Sequence, residues 1–275
     1  MEAGEALERV REVAERLLSG GEVVGVVGLR CEQGQVGPHL FTTPDELETL
    51  ALEPRYALAL VCRTILSALP QGRLGVVARG CDERALIEMA KLEQVDLERI
   101  VLIGLACSEA QARRCACVRP YPTRVDAGEK VQGVALGAGE RVQGLLGQGM
   151  EARQALWHQA FERCIKCYGC RNVCPVCICD ECVLEPPPLS PSMGSKQGKW
   201  VEPGHLPPES SFHLIRAYHI ADKCVGCGAC EAVCPAQIPM TTLYALLRER
   251  LKEMFDYETG LDVGQRSPLL VVSGK

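Results

Sequence analysis

Two cysteine runs in the second half constrain this chain more than any other feature. Cys164-Ile-Lys-Cys167-Tyr-Gly-Cys170-Arg-Asn-Val-Cys174-Pro175 is answered further on by Cys224-Val-Gly-Cys227-Gly-Ala-Cys230-Glu-Ala-Val-Cys234-Pro235. Both read CxxCxxCxxxCP, a spacing that holds two cubane clusters. Two-residue gaps let three thiolates of one tight loop cap three irons of a cube. The fourth cysteine opens a short helix directed away, so it serves the other cluster, and the proline ends the local hydrogen bonding. The spacing predicts one [4Fe-4S] cluster on Cys164, Cys167, Cys170 and Cys234, and a second on Cys224, Cys227, Cys230 and Cys174. A single CxxC would equally suit a zinc knuckle or a redox dithiol. Two complete copies do not, because zinc sites pair two CxxC units and have no use for further cysteines at these offsets.

The chain has 17 cysteines, a number that in a small secreted domain would mean disulfides. Its start, Met-Glu-Ala-Gly-Glu-Ala-Leu-Glu-Arg-Val, has neither a basic n-region nor an apolar h-region. No stretch approaches the ~18 apolar residues of a membrane span. The cysteines are therefore expected in a reducing cytoplasm and on metal. A net charge of -5 offers no electrostatic footprint for nucleic acid. The length of 275 residues suits one large or two medium domains, and 47% hydrophobic residues can build a core.

In the first half, Leu7, Val10, Ala14, Leu17 and Leu18 share a helical face that Gly20-Gly21 ends. Glu22 to Gly28 reads as a short buried strand. Thr43-Pro44-Asp45-Glu46 is a capping box, and helical periodicity runs from Arg55 to Leu69. Leu74 to Ala78 and Ile100 to Leu105 are apolar, β-rich runs separated by a helical stretch that ends near Leu92. Strand, helix, strand at this spacing is a βαβ unit with parallel strands. The fold expected is an α/β N-terminal domain with a small parallel sheet over 1–149. An α+β two-cluster ferredoxin-like domain follows over 150–260, with a long insertion at 177–210 and a tail at 261–275.

Within that second domain Glu151 to Arg163, Ser211 to Ala221 and Thr241 to Phe255 read as helices. Leu214, Ile215 and Tyr218 form the apolar side of the middle one; Leu243, Leu246, Leu247, Leu251 and Met254 are in phase on the last. Residues 131–149 repeat Val-Gln-Gly, which fits a hairpin and a flexible connection equally. The segment from Pro186 to Pro208 is too rich in proline and glycine for regular structure. The insertion opens with Cys177, Cys179 and Cys182. These three thiols could bind zinc or a further cluster with a fourth ligand such as His205, His213 or His219, or they could shield the first cluster and tune its hydrogen bonds. His213 and His219 otherwise read as ordinary histidines, and Trp157 with Phe161 as a packing staple. Cys31 and Cys62 read as packing residues. Lys166 and Lys223 either raise a cluster potential by their charge or are merely solvated.

Several segments together resemble a known family. They are Gly-Cys-Asp-x-Arg-Ala-Leu from Gly80 to Leu86, Ile-Gly-x-x-Cys from Ile103 to Cys107, then Cys115, Cys117 and Pro120, then the first cysteine run with its trailing Cys177, Cys179 and Cys182. The pattern is similar to the iron–sulfur beta subunits of deazaflavin-reducing hydrogenases and related formate dehydrogenases. It is nearest the short branch that accompanies heterodisulfide-reductase-type electron-transfer complexes, and it covers most of 22–262. Cys115-Ala-Cys117 departs from that branch by being one residue shorter than CxxC. Full-length members bind FAD, but no GxGxxG follows a strand here, so flavin is not favoured.

Cys81 and Cys107 each follow a strand of the same parallel sheet, and ligands of open α/β sheets bind beyond that edge. Helix starts there aim free amides at an anionic group. With Cys115 and Cys117 these residues are expected to hold a third cubane. The alternatives are packing cysteines with an inert pair, or zinc on the same four ligands. No acid–base pair or nucleophile constellation is visible. The chain therefore reads as an electron-transfer subunit, and the resemblance implies that it works between a formate dehydrogenase or hydrogenase catalytic subunit and a heterodisulfide-reductase-type flavoprotein. The competing reading is a flavin-containing oxidoreductase that reduces a deazaflavin or nicotinamide.

Overall fold

The structure is a computed structural model describing residues 3–69, 71–135, 140–179, 182, 184 and 209–271. The chain opens with helix α1 (Ala3–Ser19), which buries Val10, Val13, Ala14 and Leu17. Strand β1 (Gly25–Glu32) then turns back into β2 (Gln35–Phe41). The two-residue turn Gln33-Gly34 has positive φ at both positions, 51° and 77°. That is the primed geometry whose twist matches a hairpin. After a 3-10 turn over Pro44–Thr49 come β3 (Leu50–Ala51), α2 (Leu58–Ala68), β4 (Leu74–Ala78), α3 (Gly80–Lys91), β5 (Ile100–Gly104) and α4 (Glu109–Arg114). The Glu46 carboxylate accepts from the Thr42 and Thr43 N–H groups at 2.7 and 3.3 Å, as a capping box requires.

The sheet runs in the order β2-β1-β4-β5, with β3 beside β1. β1, β4 and β5 are mutually parallel neighbours; β2 and β3 are antiparallel to β1. The small parallel sheet is thus the centre of a mixed one, and β1 extends well past Gly28. Both crossovers, through α2 and α3, move in the same direction along the sheet, so the right-handed rule stacks these two helices on one face. α1 packs on β1, β4 and β5 from elsewhere in the core.

The second half is helical: α5 (Glu140–Leu146), α6 (Met150–Glu162), α7 (Gly169–Asn172), α8 (Glu209–Ile220), α9 (Ala229–Ala232), α10 (Met240–Phe255) and α11 (Pro268–Val271). Part of 131–149 is therefore the helix α5 rather than a hairpin. Arg141 of α5 reaches Glu231 at 2.5 Å, and Glu231 in turn accepts from the Thr241 N–H at the start of α10. A second core gathers Ala160, Phe161, Val176, Ala217, Ile220, Ile238, Met240 and Tyr244. The Trp157 ring stacks on Phe161 at 5.6 Å and packs against this core, the staple expected.

On α8 the structure reverses the expected face. Leu214 and Tyr218 are exposed, while Phe212, His213, Arg216, Ala217 and Ile220 are buried. The buried stripe holds two polar side chains, so hydrophobic phase alone selects the wrong side. On α10, Leu251 is buried but Met254 is 69% exposed. The segment after α10 is tied back into the fold. The Glu88 carboxylate of α3 accepts from the Gly260 N–H at 2.7 Å and pairs with Lys91 at 2.8 Å. Buried Ser267 hydrogen-bonds the Asp222 carboxylate, and the short helix α11 follows it. Residues 185–208, which include His205, and the end of the tail from Val272 lie outside the described residues. No helix among the described residues is long and apolar enough to cross a membrane.

Candidate metal centres

The two cysteine runs fold as near copies. In the first, Lys166 and Tyr168 take positive φ of 51° and 57°; in the second, the equivalent Gly226 and Gly228 take 67° and 74°. This alternation turns successive N–H groups inward, the concave arrangement that receives anions and iron–sulfur clusters. The Lys166 N–H points to Cys164 Sγ at 3.4 Å, and the Gly226 N–H makes the matching bond to Cys224. Four-residue helices α7 and α9 then carry Cys170 and Cys230, and they end before Cys174-Pro175 and Cys234-Pro235. Past each fourth cysteine a tight turn closes, Cys177 N–H to Cys174 O at 3.2 Å and Gln237 N–H to Cys234 O at 3.1 Å.

Because α7 packs on α9, each fourth cysteine meets the opposite loop. One cavity is lined by Cys164, Cys167 and Cys170 together with Cys234, Tyr168, Phe212, His213 and Met240. The other is lined by Cys224, Cys227 and Cys230 together with Cys174, Arg216, Tyr244 and Arg248. The donor chemistry fits a cubane: thiols are spread around a cavity rim, and backbone N–H groups aim at sulfur. No three His, Cys, Asp or Glu side chains among the described residues converge tightly enough to hold a single metal ion. A cubane asks instead for thiols set around a larger body. Desolvation raises the Cys170, Cys224 and Cys230 thiols above their ordinary value, so binding metal would release protons here.

Arg216 of α8 is fully buried beside both cavities. It donates to Tyr244 Oη at 2.5 Å and to the Cys170 carbonyl at 2.7 Å. Burial alone would lower its pKa, but Tyr244 and the thiols of Cys174, Cys170 and Cys177 raise it, so it stays charged. It sets a permanent cation between two sites that would carry anionic clusters. Sequence reasoning missed it, since a lone arginine on a helix reads as a solvated charge. His213, also buried, lines the first cavity and stacks on Phe161 at 4.5 Å.

Cys177 lies against Cys174. The Cys174 thiol's hydrogen bond, with help from Arg216 and Arg171, lowers Cys177 below the ordinary thiol range against the opposing effect of burial, while Cys174 is driven up by the same bond and by burial. Cys179 is exposed and Cys182 half-buried. These three do not gather into a single-ion site among the described residues. His219 is exposed on α8. Lys223 pairs with buried Asp222 at 2.8 Å. Cys62 packs in the first core as expected, whereas Cys31, near the exposed end of β1, is open to solvent.

In the first domain, β4 and β5 pair Ala78 with Gly104, and Cys81 and Cys107 each stand three residues beyond that pair. The chain from 105 to 127 folds back over this edge. Leu105 bridges Ala127, and the Cys107 N–H donates to the Pro120 carbonyl at 2.8 Å. A Cβ on Gly80 would come within 2.5 Å of the Tyr121 carbonyl, so only glycine admits the returning segment. The turn closing α4, with Ala116 at φ 44°, presents Cys115 and Cys117, and both sulfurs act on Cys107 electrostatically. Burial pushes Cys81 to about 12 and Cys107 to about 11. Arg84 Nη2 reaches Cys117 Sγ at 3.6 Å, and Arg55 bonds Cys81. Cys107, Cys115 and Cys117 thus act on one another, while Cys81, past the neighbouring strand, faces Arg55, Arg84 and Cys227.

Fold and cavities together describe an iron–sulfur protein, and sequence comparison agrees: the 4Fe-4S dicluster domain family matches residues 160–238. The chain is similar to the F420-dependent formate dehydrogenase subunit beta of Methanocaldococcus jannaschii, 36% identical over 107 residues, which is 38% of this chain and 25% of that protein. It is likewise similar to the F420-dependent formate dehydrogenase 1 subunit beta of Methanococcus maripaludis, 33% identical over 107 residues, 38% of this chain and 24% of that one. The chain spans about a quarter of the length of these curated relatives. These likenesses support the iron–sulfur beta-subunit family to which its motifs point.

Proposed function

We propose that this chain is an electron-transfer subunit of a formate dehydrogenase complex. Electrons released at a catalytic subunit would pass through its clusters to a heterodisulfide-reductase-type flavoprotein in a reducing cytoplasm. The observation that carries the reading is the pair of cavities, each ringed by three cysteines of one run and the fourth of the other. When bound, the clusters supply one-electron capacity. The protein's own contribution is to hold them dry, to donate N–H bonds to sulfur and to place Arg216 between them.

The same reading includes a third [4Fe-4S] cluster on Cys81, Cys107, Cys115 and Cys117. Support comes from the common strand edge and from the electrostatic contact of Cys107 with Cys115 and Cys117. Cys177, Cys179 and Cys182 are assigned to tuning, on the ground that Cys177 contacts Cys174. Iron and sulfide analysis of anaerobically purified protein tests the count: about twelve irons per chain are expected, and about eight would remove the third centre. Colourless protein would overturn the electron-transfer reading, and resolved flavin bands would favour the flavoenzyme instead.

A further inference from the structure

The loop of the second cysteine run does not end at its own cavity. Val225, 2% exposed, belongs to the core of the first domain, and Cys227 packs against that core. Cys227 acts electrostatically on both Cys81 and Arg55, so this loop lies against the first-domain thiol site. Both ferredoxin-like cavities are lined by second-half residues, but no lining residue of the Cys164 cavity belongs to the first-domain core or packs against it.

Arginines fill the junction. Arg84, 5% exposed, donates from Nη2 both to Cys117 Sγ at 3.6 Å and to the Val225 carbonyl at 3.4 Å, while Nη1 is tied to the Arg119 carbonyl at 2.9 Å. One guanidinium therefore touches a thiol of the first-domain site and the backbone of the neighbouring loop. Arg248 of α10 lines the second cavity and is acted on by Cys224, Cys227 and Cys117. Gly260 seals the assembly, since a Cβ there would lie 2.5 Å from Arg84 Cβ. The hydrogen-bond partners of Arg84 are a sulfur and two carbonyls.

We propose that Arg84 is a positioning residue that couples the first-domain centre directly to the Cys224 centre, making the order Cys164 centre, Cys224 centre, first-domain centre. This rests on the third-cluster reading above. An electron crossing the junction oxidises one centre by one electron and reduces the other by one, with no bond made or broken. The Arg84 charge favours the reduced, more anionic state on both sides, and its hydrogen bonds fix the separation.

The test is a redox titration followed by EPR on the full chain, with iron counted in parallel. In Arg84→Met, the potentials of the first-domain and Cys224 centres should both fall, by enough to change each reduced-to-oxidised ratio about tenfold, ~59 mV for a one-electron couple. The Cys164 centre should not move, and Arg84→Lys should restore most of the shift. Unchanged potentials at full iron content, or a shift in only one of the two neighbours, would overturn the proposal. If Arg84→Met loses iron, Cys107→Ser decides: removing the first-domain centre should shift the Cys224 centre and spare the Cys164 centre, and the opposite pattern refutes the order. A wild-type chain with about eight irons would instead fail the third-cluster reading itself.

Discussion

Cys174 belongs to one loop and faces the cavity of the other. It is the last cysteine of the first run, yet it lines the cavity of Cys224, Cys227 and Cys230. Cys174→Ala is therefore expected to damage the Cys224 centre and leave the Cys164 centre spectroscopically intact. A defect confined to the Cys164 centre in EPR of the reduced protein would refute this assignment. Such cysteines were legible because cluster ligation imposes short local spacing. Arg216 was not, because its partners Cys170 and Tyr244 come from other segments, 46 and 28 residues away. The same holds for Arg84 and Arg55, whose bonded thiols, Cys117 and Cys81, come from distant segments of the first domain. Leu214 and Tyr218 misled for the complementary reason: the buried face of α8 carries Arg216 and His213, so its apolar residues do not mark the core.

At the scale of elements, the two cluster loops adopt one backbone with different residues. Gly226 has φ 67°, and a Cβ there would lie 2.1 Å from Arg248 Nη1, whereas Lys166 takes φ 51° with a side chain in place. Gly226→Ala should cost about 1–2 kcal/mol for the left-handed backbone, plus the displacement of Arg248. The Cys224 centre should then release iron to a chelator faster, while Lys166→Gly should leave the Cys164 centre's release rate nearly unchanged. Equal rates for Gly226→Ala and wild type would show that Arg248 has room to yield. The β4-α3-β5 unit was readable from its apolar runs and their spacing. β2 was not: Gly37 and Pro38 make it look like a loop, and Pro38 is tolerated because β2 lies at the edge of the sheet. α5 was hidden by its glycine-rich surroundings, and its tie through Arg141 to Glu231 is a long-range contact that no local pattern announces.

In the whole molecule, the two halves share more than a linker. Val225 of the second cysteine run is buried in the first core, Arg84 bonds its carbonyl, and Gly260 returns after α10 to Glu88 of α3. No residue lining the Cys164 cavity, Phe212, His213 and Met240 included, belongs to the first core or packs against it. Cutting the chain before residue 150 should therefore affect the two ferredoxin-like centres unequally. Exposing Val225 alone forfeits about 1.5–3 kcal/mol of apolar burial. The Val225 carbonyl and the Gly260 N–H also lose partners in the first domain, Arg84 and Glu88. A fragment beginning at Met150 and running to the chain's end is expected to keep the Cys164 centre and to lose the Cys224 centre on standing, falling towards about four irons per chain. The measurement is iron content and EPR over time under anaerobic conditions, beside the full chain. A fragment that keeps about eight irons as long as the full chain would mean that the second loop is stable by itself. The contacts around Val225 and Arg84 would then serve only to hold the halves together.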